Sequence, residues 1–216
     1  MPLEVQHLTE ADLLQWTIIH YEAFRGTTVG MCWARRPSDE SFAERAKARS
    51  KALSDPNSHA FKCVDTDLNN KIIAVSQWSV YPKERTWEEV EEGLKPRPMF
   101  PEDRADVRKA FLTGIYNSRR ENMGTRPHVI LESLTTHPDH HRRGAGGMLL
   151  QWGIDQQDSL GLLGYLEGSS AGAPLYKKFG YEHFREIIFD TREYGGAEVD
   201  VHLAMTRQPK ARPSKD

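Results

Sequence analysis

The sequence predicts an α/β fold in which a helix crosses between strands of a mixed sheet at a ligand site. Three observations support this class. Residues 129–136 form an apolar, strand-like run, residues 141–147 form a glycine-rich loop, and a helical pattern continues to about Gln157. Shorter alternating runs on either side supply further strands. A strand, a glycine-rich loop and a helix start, in this order, make an anion-binding unit.

The elements before this loop have clear local signals. Thr9 offers a capping hydroxyl ahead of a helical pattern that continues to about Phe24, and Ser38 begins a second one. Residues 67–70, Asp-Leu-Asn-Asn, suit a hairpin turn. These signals predict strands at residues 3–8, 59–65 and 71–81, and helices at residues 9–24 and from residue 38 to about residue 54.

A charged insertion at residues 82–125 separates the hairpin from the strand of the ligand loop. It contains Trp87, a proline cluster around Pro98, and a helical stretch from about Glu102 to Asn122. A connection of this length predicts a lid or an interface.

The part of the chain after the loop completes the predicted sheet. Strands are expected at residues 163–167, 182–190 and 199–207, and a short helix at residues 174–179. Residues 208–216 form a polar tail that we expect to be loose. Without a repeat or a convincing linker, residues 1–207 are predicted to be a single domain.

Composition excludes several functional classes. Of the 216 residues, 38% are hydrophobic and 28% are charged, which indicates a folded protein rather than a disordered one. The net charge of −2 does not indicate the basic surface that is typical of nucleic-acid-binding proteins. No apolar run approaches the roughly 20 residues of a membrane helix. The N-terminus lacks the features of a signal peptide, and there are two cysteines. We therefore expect a cytoplasmic protein with no membrane or nucleic-acid partner.

The loop sequence, His-Arg-Arg-Gly-Ala-Gly-Gly at residues 141–147, suits a pyrophosphate. Glycines permit positive φ and close approach, and a helix start offers unpaired N–H groups. No Lys-Ser or Lys-Thr follows, as an ATP-binding loop requires, and Leu149 stands where a dinucleotide fingerprint needs its third glycine. A glycine-rich turn that only joins strand to helix is the open alternative.

Two motifs together resemble the GCN5-related N-acetyltransferases (GNAT). Residues 141–146 resemble motif A, Gln/Arg-x-x-Gly-x-Gly/Ala, with His141 in the first position. Residues 166–181 are similar to motif B, Asn-x-x-Ala-x-x-Leu-Tyr-x-x-x-Gly-Phe, with Ser169 and Gly172 replacing Asn and Ala. The resemblance covers about residues 125–185 and is greatest to fungal small-molecule branches. It implies a mixed, mostly antiparallel sheet that splays at an acetyl-coenzyme A site and carries a helical insertion before the motif A strand.

The resemblance also implies which residues contact the coenzyme. The loop N–H groups would hold its pyrophosphate, while Arg142 and Arg143 would add charge toward its phosphates. The strand before the loop would contact the acetyl and pantetheine arm. The implied coenzyme contacts are Leu134, Thr135, Thr136, His141, Arg142, Arg143, Gly144, Ala145, Gly146, Gly147, Ser169, Gly172 and Tyr176.

Proton transfer requires an acid and a base. By resemblance Tyr176 is the general acid beside the coenzyme sulfur, because a phenol suits a thiolate of similar pKa; the alternative is a core tyrosine. Glu132 and Glu167 are acidic residues within apolar strands. Burial would raise the pKa of such a carboxyl, so either is a candidate base; alternatively they face solvent or pair with an arginine.

The acceptor side is predicted to come from residues 24–33 and the insertion. Phe24, Trp33 and Trp78, together with Trp87, either line an aromatic pocket or serve as ordinary packing. The histidines at positions 137, 140 and 141 favour a solvated loop over a metal site, and no metal is expected. Cys32 is interpreted as a buried thiol.

The sequence thus predicts an acetyl-coenzyme A-dependent N-acetyltransferase of a small-molecule amine (a xenobiotic or secondary metabolite), acting as a monomer or homodimer. Two alternatives stay open. One is acetylation of protein N-termini or lysines, and the other is a non-catalytic module that holds an acyl-coenzyme A.

Overall fold

A computed structural model describes residues 2–210 of the chain. The strands are β1 (Leu3–His7), β2 (Ser58–Asp65), β3 (Lys71–Tyr81), β4 (His128–Thr136), β5 (Leu163–Ser169), β6 (Glu182–Asp190) and β7 (Val199–Arg207). The helices are α1 (Leu13–Phe24), α2 (Asp39–Ser54), α3 (Trp87–Gly93), α4 (Ala105–Asn122), α5 (Ala145–Leu160) and α6 (Ala173–Lys178).

The seven strands form one mixed sheet in the order β1-β2-β3-β4-β5-β7-β6. Every neighbouring pair is antiparallel except β4 and β5, which are parallel and are joined by the crossover helix α5. This topology confirms the predicted mixed, mostly antiparallel sheet. A parallel pair needs a long crossover connection, and α5, which follows the glycine-rich loop, supplies it.

The sheet opens between β4 and β5. Their pairing covers His128–Leu131 against Leu163–Leu166 and stops there, although both strands continue. On the other edge of β4, Gln77 pairs with Ser133 and Trp78 with Leu131, so Glu132 is an extra residue in a β-bulge. A bulge bends its strand, and the bend turns β4 away from β5 at this position. The predicted splay is therefore confirmed.

One face of the sheet is covered by α5 and α6, and its core contains Trp78. The indole of Trp78 is fully buried, and a Cβ on Gly153 of α5 would lie 2.4 Å from its ring. The expectation that Trp78 lines a substrate pocket is therefore wrong. The large ring fills the space beneath α5 that glycine leaves, so Trp78 is a packing residue of the core.

The opposite face carries α1, α2 and the insertion. Helix α4 packs on the sheet through Ile115, which shares a buried cluster with Tyr165 and Ile187. The insertion is thus part of the folded core on this face. Trp87, at the start of α3, is 56% exposed. Helix α4 starts at Ala105 rather than near Glu102, because the Glu102 carboxylate is bound to Ser41 and Arg45 of α2.

The other predicted elements agree with the structure to within a few residues. Helix α5 begins at Ala145, two residues before the predicted start, and β5 extends to Ser169. Of the predicted tail, residues 211–216 lie outside the described residues. Across residues 2–210, no helix combines the length and apolar character that crossing a membrane requires.

Candidate functional site

The glycine-rich loop lies at the carboxyl end of β4, beside the opening in the sheet. Arg142 and Gly144 have φ values of 61° and 92°, so the backbone reverses sharply before α5. A side chain at the Gly144 position would be strained, which explains the first glycine of the motif. The ring Nε2 of His141 lies 3.1 Å from the carbonyl oxygen of Thr136 and ties the loop back to its strand.

The first N–H groups of α5, those of Ala145, Gly146 and Gly147, have no acceptor within the helix. The positive end of the helix dipole lies at the same place. A Cβ on Gly146 would lie 3.2 Å from Leu175, and one on Gly147 would lie 3.3 Å from Phe179. Larger side chains at Gly146 and Gly147 would therefore be crowded. With glycine at these positions the backbone N–H groups can approach a ligand closely, as binding of a pyrophosphate requires.

The two arginines of the loop differ in their environment. The guanidinium of Arg143 lies 2.5 Å from the carboxylate of Asp65, which is buried, and 3.1 Å from the ring of His140. Its side chain is therefore committed to anchoring the loop on β2, contrary to the expectation that it adds charge toward a phosphate. Arg142 is exposed and keeps its charge available.

Beyond the bulge, β4 has one paired edge and one open edge. Leu134, Thr135 and Thr136 pair with β3, while in the described part of the chain no strand pairs with their other edge. Their backbone groups on that edge face the opening. Ordinary ladder pairing therefore accounts for only half of the polar backbone here, and the rest is available to a ligand arm.

Tyr176 lies in α6, across the opening from the loop. Its ring is 9% exposed, and Cβ atoms on Gly168 and Gly172 would lie 2.7 and 3.0 Å from it. The hydroxyl of Ser169 accepts the N–H of Gly172 at 3.2 Å and fixes the turn before α6. The two glycines thus let a large ring reach the opening.

Burial raises the pKa of Tyr176 to about 12, and its hydroxyl makes no hydrogen bond within residues 2–210. This pKa lies roughly three units above that of a free thiol, so the expected match of acidities does not hold. A protonated phenol remains a hydrogen-bond donor at neutral pH.

Glu132 and Glu167 are the first residues of β4 and β5 beyond the last paired positions, and one guanidinium joins them. Arg119 of α4 donates from Nη1 to Glu132 at 2.7 Å, and from Nε and Nη2 to Glu167 at 3.0 and 2.9 Å. Ser79 of β3 donates to the second oxygen of Glu132 at 3.0 Å. Of the alternatives open for the two acids, the pairing with an arginine is the one observed.

This arrangement reverses the expected effect on Glu132. Burial by itself raises the pKa of the Glu132 carboxyl. The charge and hydrogen bonds of Arg119 lower this pKa by more than burial raises it, so the net pKa is below the usual value. The expectation of a raised pKa is wrong because it counted burial alone. No local sequence pattern predicts that α4 places a guanidinium at the opening.

A histidine and an aspartate that the sequence analysis missed lie on β7 near Glu167. His202 Nδ1 is 3.0 Å from the Asp200 carboxylate, and Ser169 pairs with His202 in the register of β5 and β7. Burial lowers the pKa of His202, and Asp200 partly offsets this effect, so the ring is neutral at pH 7. The sequence pattern that could have indicated this pair is Asp-Val-His at residues 200–202, because residues two apart in a strand lie on the same face.

The remaining predicted residues make local packing contacts. Phe24 and Trp33 both contact the ring of His20, with centroids 4.9 and 6.1 Å apart, at the end of α1. His137 and His140 do not converge with His141, and within residues 2–210 no group of three His, Cys, Asp or Glu residues could hold a metal ion. Cys32 is buried, which raises the pKa of its thiol to about 11.

Comparisons with known proteins point to one family. Residues 107–183 match the sequence model described as "Acetyltransferase (GNAT) domain". A probable acyltransferase, SID5, from Ajellomyces capsulatus is 32% identical over 71 residues, which are 32% of this chain and 52% of that protein. The chain therefore matches only about half the length of this curated relative.

Solved structures of acetyltransferases share the fold. A histone acetyltransferase HPA2 and related acetyltransferase from Corynebacterium glutamicum is 20% identical with a TM-score of 0.62, and 99% of each chain is covered. The putative acetyltransferase yncA of Salmonella typhimurium, solved with acetyl-CoA, is 16% identical with a TM-score of 0.57, covering 100% of this chain and 99% of that one. A mosquito arylalkylamine N-acetyltransferase is 12% identical with a TM-score of 0.64, covering 95% and 99%.

Proposed function

We propose that this chain is a GNAT acetyltransferase that transfers the acetyl group of acetyl-coenzyme A directly to an amine of a small molecule. The observation that carries the proposal is the opening between β4 and β5, with a glycine-rich helix start at one side and Tyr176 at the other. We further propose that residues 1–207 act as a single domain.

The residues present fit the coenzyme. The free N–H groups of Gly146 and its neighbours would bind the diphosphate, and exposed Arg142 would add charge. The open edge of β4 at Leu134–Thr136 would hold the pantetheine arm by strand-like hydrogen bonds. In that position acetyl-coenzyme A would supply a thioester carbonyl at the opening, which an amine can attack.

The acceptor would approach from the face that carries α1 and α4, because α5 and α6 close the other. Glu132 and Glu167 lie on this side, as their contacts with Arg119 indicate. We propose Glu132 as the group that receives the proton of the attacking amine, with Glu167 as a second candidate. An amine must lose this proton before or during attack.

Tyr176 would stabilise the departing sulfur. Because burial raises its pKa to about 12, it would donate a hydrogen bond to the thiolate rather than lose its proton completely. The structural role of its ring, packed on Gly168 and Gly172, does not compete with this use of the hydroxyl.

The test is release of free coenzyme A thiol from acetyl-coenzyme A across a panel of small amines, peptides with free N-termini and lysine peptides. Acetylation of small amines supports the proposal. Turnover only with peptides would favour the alternative of protein acetylation. Tight binding of acetyl-coenzyme A without any thiol release would favour a non-catalytic module.

A further inference from the structure

Arg49 of α2 and Arg97 of the insertion have no carboxylate partner within the described residues. Arg49 of α2 is partly buried, and its guanidinium lies 4.7 Å above the ring of Trp16. Burial and the neighbouring charges of Arg97 and Arg45 lower the pKa of Arg49 to about 9, so it is still a cation at neutral pH. A partly buried cation beside another cation is unfavourable unless an anion joins it.

Arg45, one turn earlier on the same helix, shows how this chain satisfies a structural guanidinium. It lies 3.1 Å from Glu102 and 2.8 Å from Asp103. It also stacks on Phe100 at 4.4 Å. Arg49 has the aromatic contact without the carboxylates, so packing alone does not account for its charge.

Two buried polar atoms beside Arg49 are also unsatisfied. Across residues 2–210, neither the indole Nε1 of Trp16 nor Nδ1 of His20 has a hydrogen-bond partner. The charges of Arg49 and Arg97 both act on His20, and they lower its pKa well below the usual value after the larger effect of burial. Buried polar atoms without a partner are rare in folded proteins, and a bound water, ion or ligand is one way to satisfy them.

This cluster, comprising Arg49, Arg97, Trp16 and His20, is electrostatically linked to the opening. The charge of Arg97 acts on both His20 and Glu132 and contributes to lowering the pKa of each. Helix α1, which carries Trp16 and His20, packs across β3 and β4 on this face. The cluster is therefore on the side from which the acceptor would approach.

We propose that this cluster binds the carboxylate of the acceptor, so that the acetylated amine belongs to an amino acid or a similar amino carboxylate. The inference rests on the proposed function and adds the substrate class. Arg49 would donate to the carboxylate with the geometry that guanidinium offers, and His20 or Trp16 would supply a further hydrogen bond. The amine would then lie toward Glu132.

The experiment compares amino acids with their carboxylate-free counterparts: L-phenylalanine with 2-phenylethylamine, L-arginine with agmatine, and L-tyrosine with tyramine. The full chain, its Arg49→Gln variant and a Lys51→Gln variant are assayed for thiol release. Lys51 is an exposed residue of the same helix, so its variant loses the same charge away from the cluster. Binding of each compound to protein saturated with coenzyme A is measured by calorimetry.

We expect at least one amino acid to exceed its decarboxylated counterpart roughly ten- to a hundredfold in kcat/KM, as loss of charged hydrogen bonds predicts. Arg49→Gln should abolish this preference by lowering kcat/KM for the amino acid, and Lys51→Gln should retain it. Arg49→Lys should restore part of it, and Arg97→Gln, which changes an exposed side chain, checks the result if Arg49→Gln does not fold.

Equal use of both members of every pair, or a preference that survives Arg49→Gln and Arg97→Gln, would overturn the inference while leaving the acetyltransferase proposal intact. Amino-acid binding that depends on Arg49 without any thiol release would do the reverse: it would support the carboxylate site and contradict the proposed turnover.

Discussion

Arg119 and Glu132 lie 2.7 Å apart at the point where β4 and β5 separate. The same guanidinium binds Glu167 through two nitrogens. An arginine of the insertion therefore forms ion pairs with both acids at the opening. The stability of the site and the pKa of Glu132 both depend on this one side chain.

Replacing Arg119 with methionine leaves two buried carboxylates side by side. We expect the free energy of unfolding near pH 7 to fall by about 3–5 kcal/mol, because removal of one partner leaves buried charge unpaired. Urea unfolding of Arg119→Met and of Arg120→Met measures this. Arg120 is the matched control, since its partner Glu91 is half exposed and its loss should cost much less.

The loss of unfolding free energy in Arg119→Met should depend on pH, and the direction of this dependence can be stated. In the native protein the lowered pKa of Glu132 gives stability that is present above its unfolded pKa and lost on acidification. Without Arg119, burial alone raises this pKa, and the carboxyl destabilises the fold as pH rises. The difference between the two proteins should therefore shrink from about pH 7 to about pH 4. A constant difference would contradict this explanation.

Gly146→Val should block coenzyme binding in a folded protein. The side chain would meet Leu175 at 3.2 Å and displace the backbone that faces the diphosphate. We expect the Kd for acetyl-coenzyme A, measured by calorimetry, to rise roughly tenfold or more through lost charged hydrogen bonds. Gly93→Val is the control, because a Cβ there has no neighbour within 4 Å. Unchanged affinity of Gly146→Val would remove this loop from the binding site.

Glu132→Gln tests the proposed base. A general base must be deprotonated, so activity should rise with pH through its pKa, which Arg119 holds below the usual glutamate value. The variant should lose about 10²-fold or more in rate and lack this acidic limb. Glu121→Gln, on the exposed side of α4, should behave like the native protein. If the limb survives, the role passes to Glu167, to His202 or to water, and His202→Asn is the next variant to assay.

Tyr176→Phe removes a hydroxyl and keeps the ring that packs on Gly168 and Gly172. Turnover should fall about tenfold or more, the value of one hydrogen bond to a developing charge. The Kd for acetyl-coenzyme A should stay within a few-fold, since the bond forms mainly in the transition state. Tyr194→Phe, remote from the opening, serves as the control. Full turnover of Tyr176→Phe would make the ring purely structural.

Local sequence signals determined the strands, the crossover helix and the ligand loop. Glycine spacing and alternation act over a few residues, so the bounds of β3, β6 and β7 and the place of the loop followed directly from them. The two-motif resemblance agrees with the acetyltransferase model that matches residues 107–183, and the structure places Tyr176 in α6.

Only the tertiary structure decided what surrounds each side chain. Trp78 is a core residue because α5 supplies Gly153 beneath it, and Arg143 is committed because β2 places Asp65 nearby. The pKa of Glu132 is low because α4, from a distant part of the chain, brings Arg119 to it. The burial and the charged neighbours of a site residue come from elements that are remote in sequence. A local sequence pattern therefore cannot predict them.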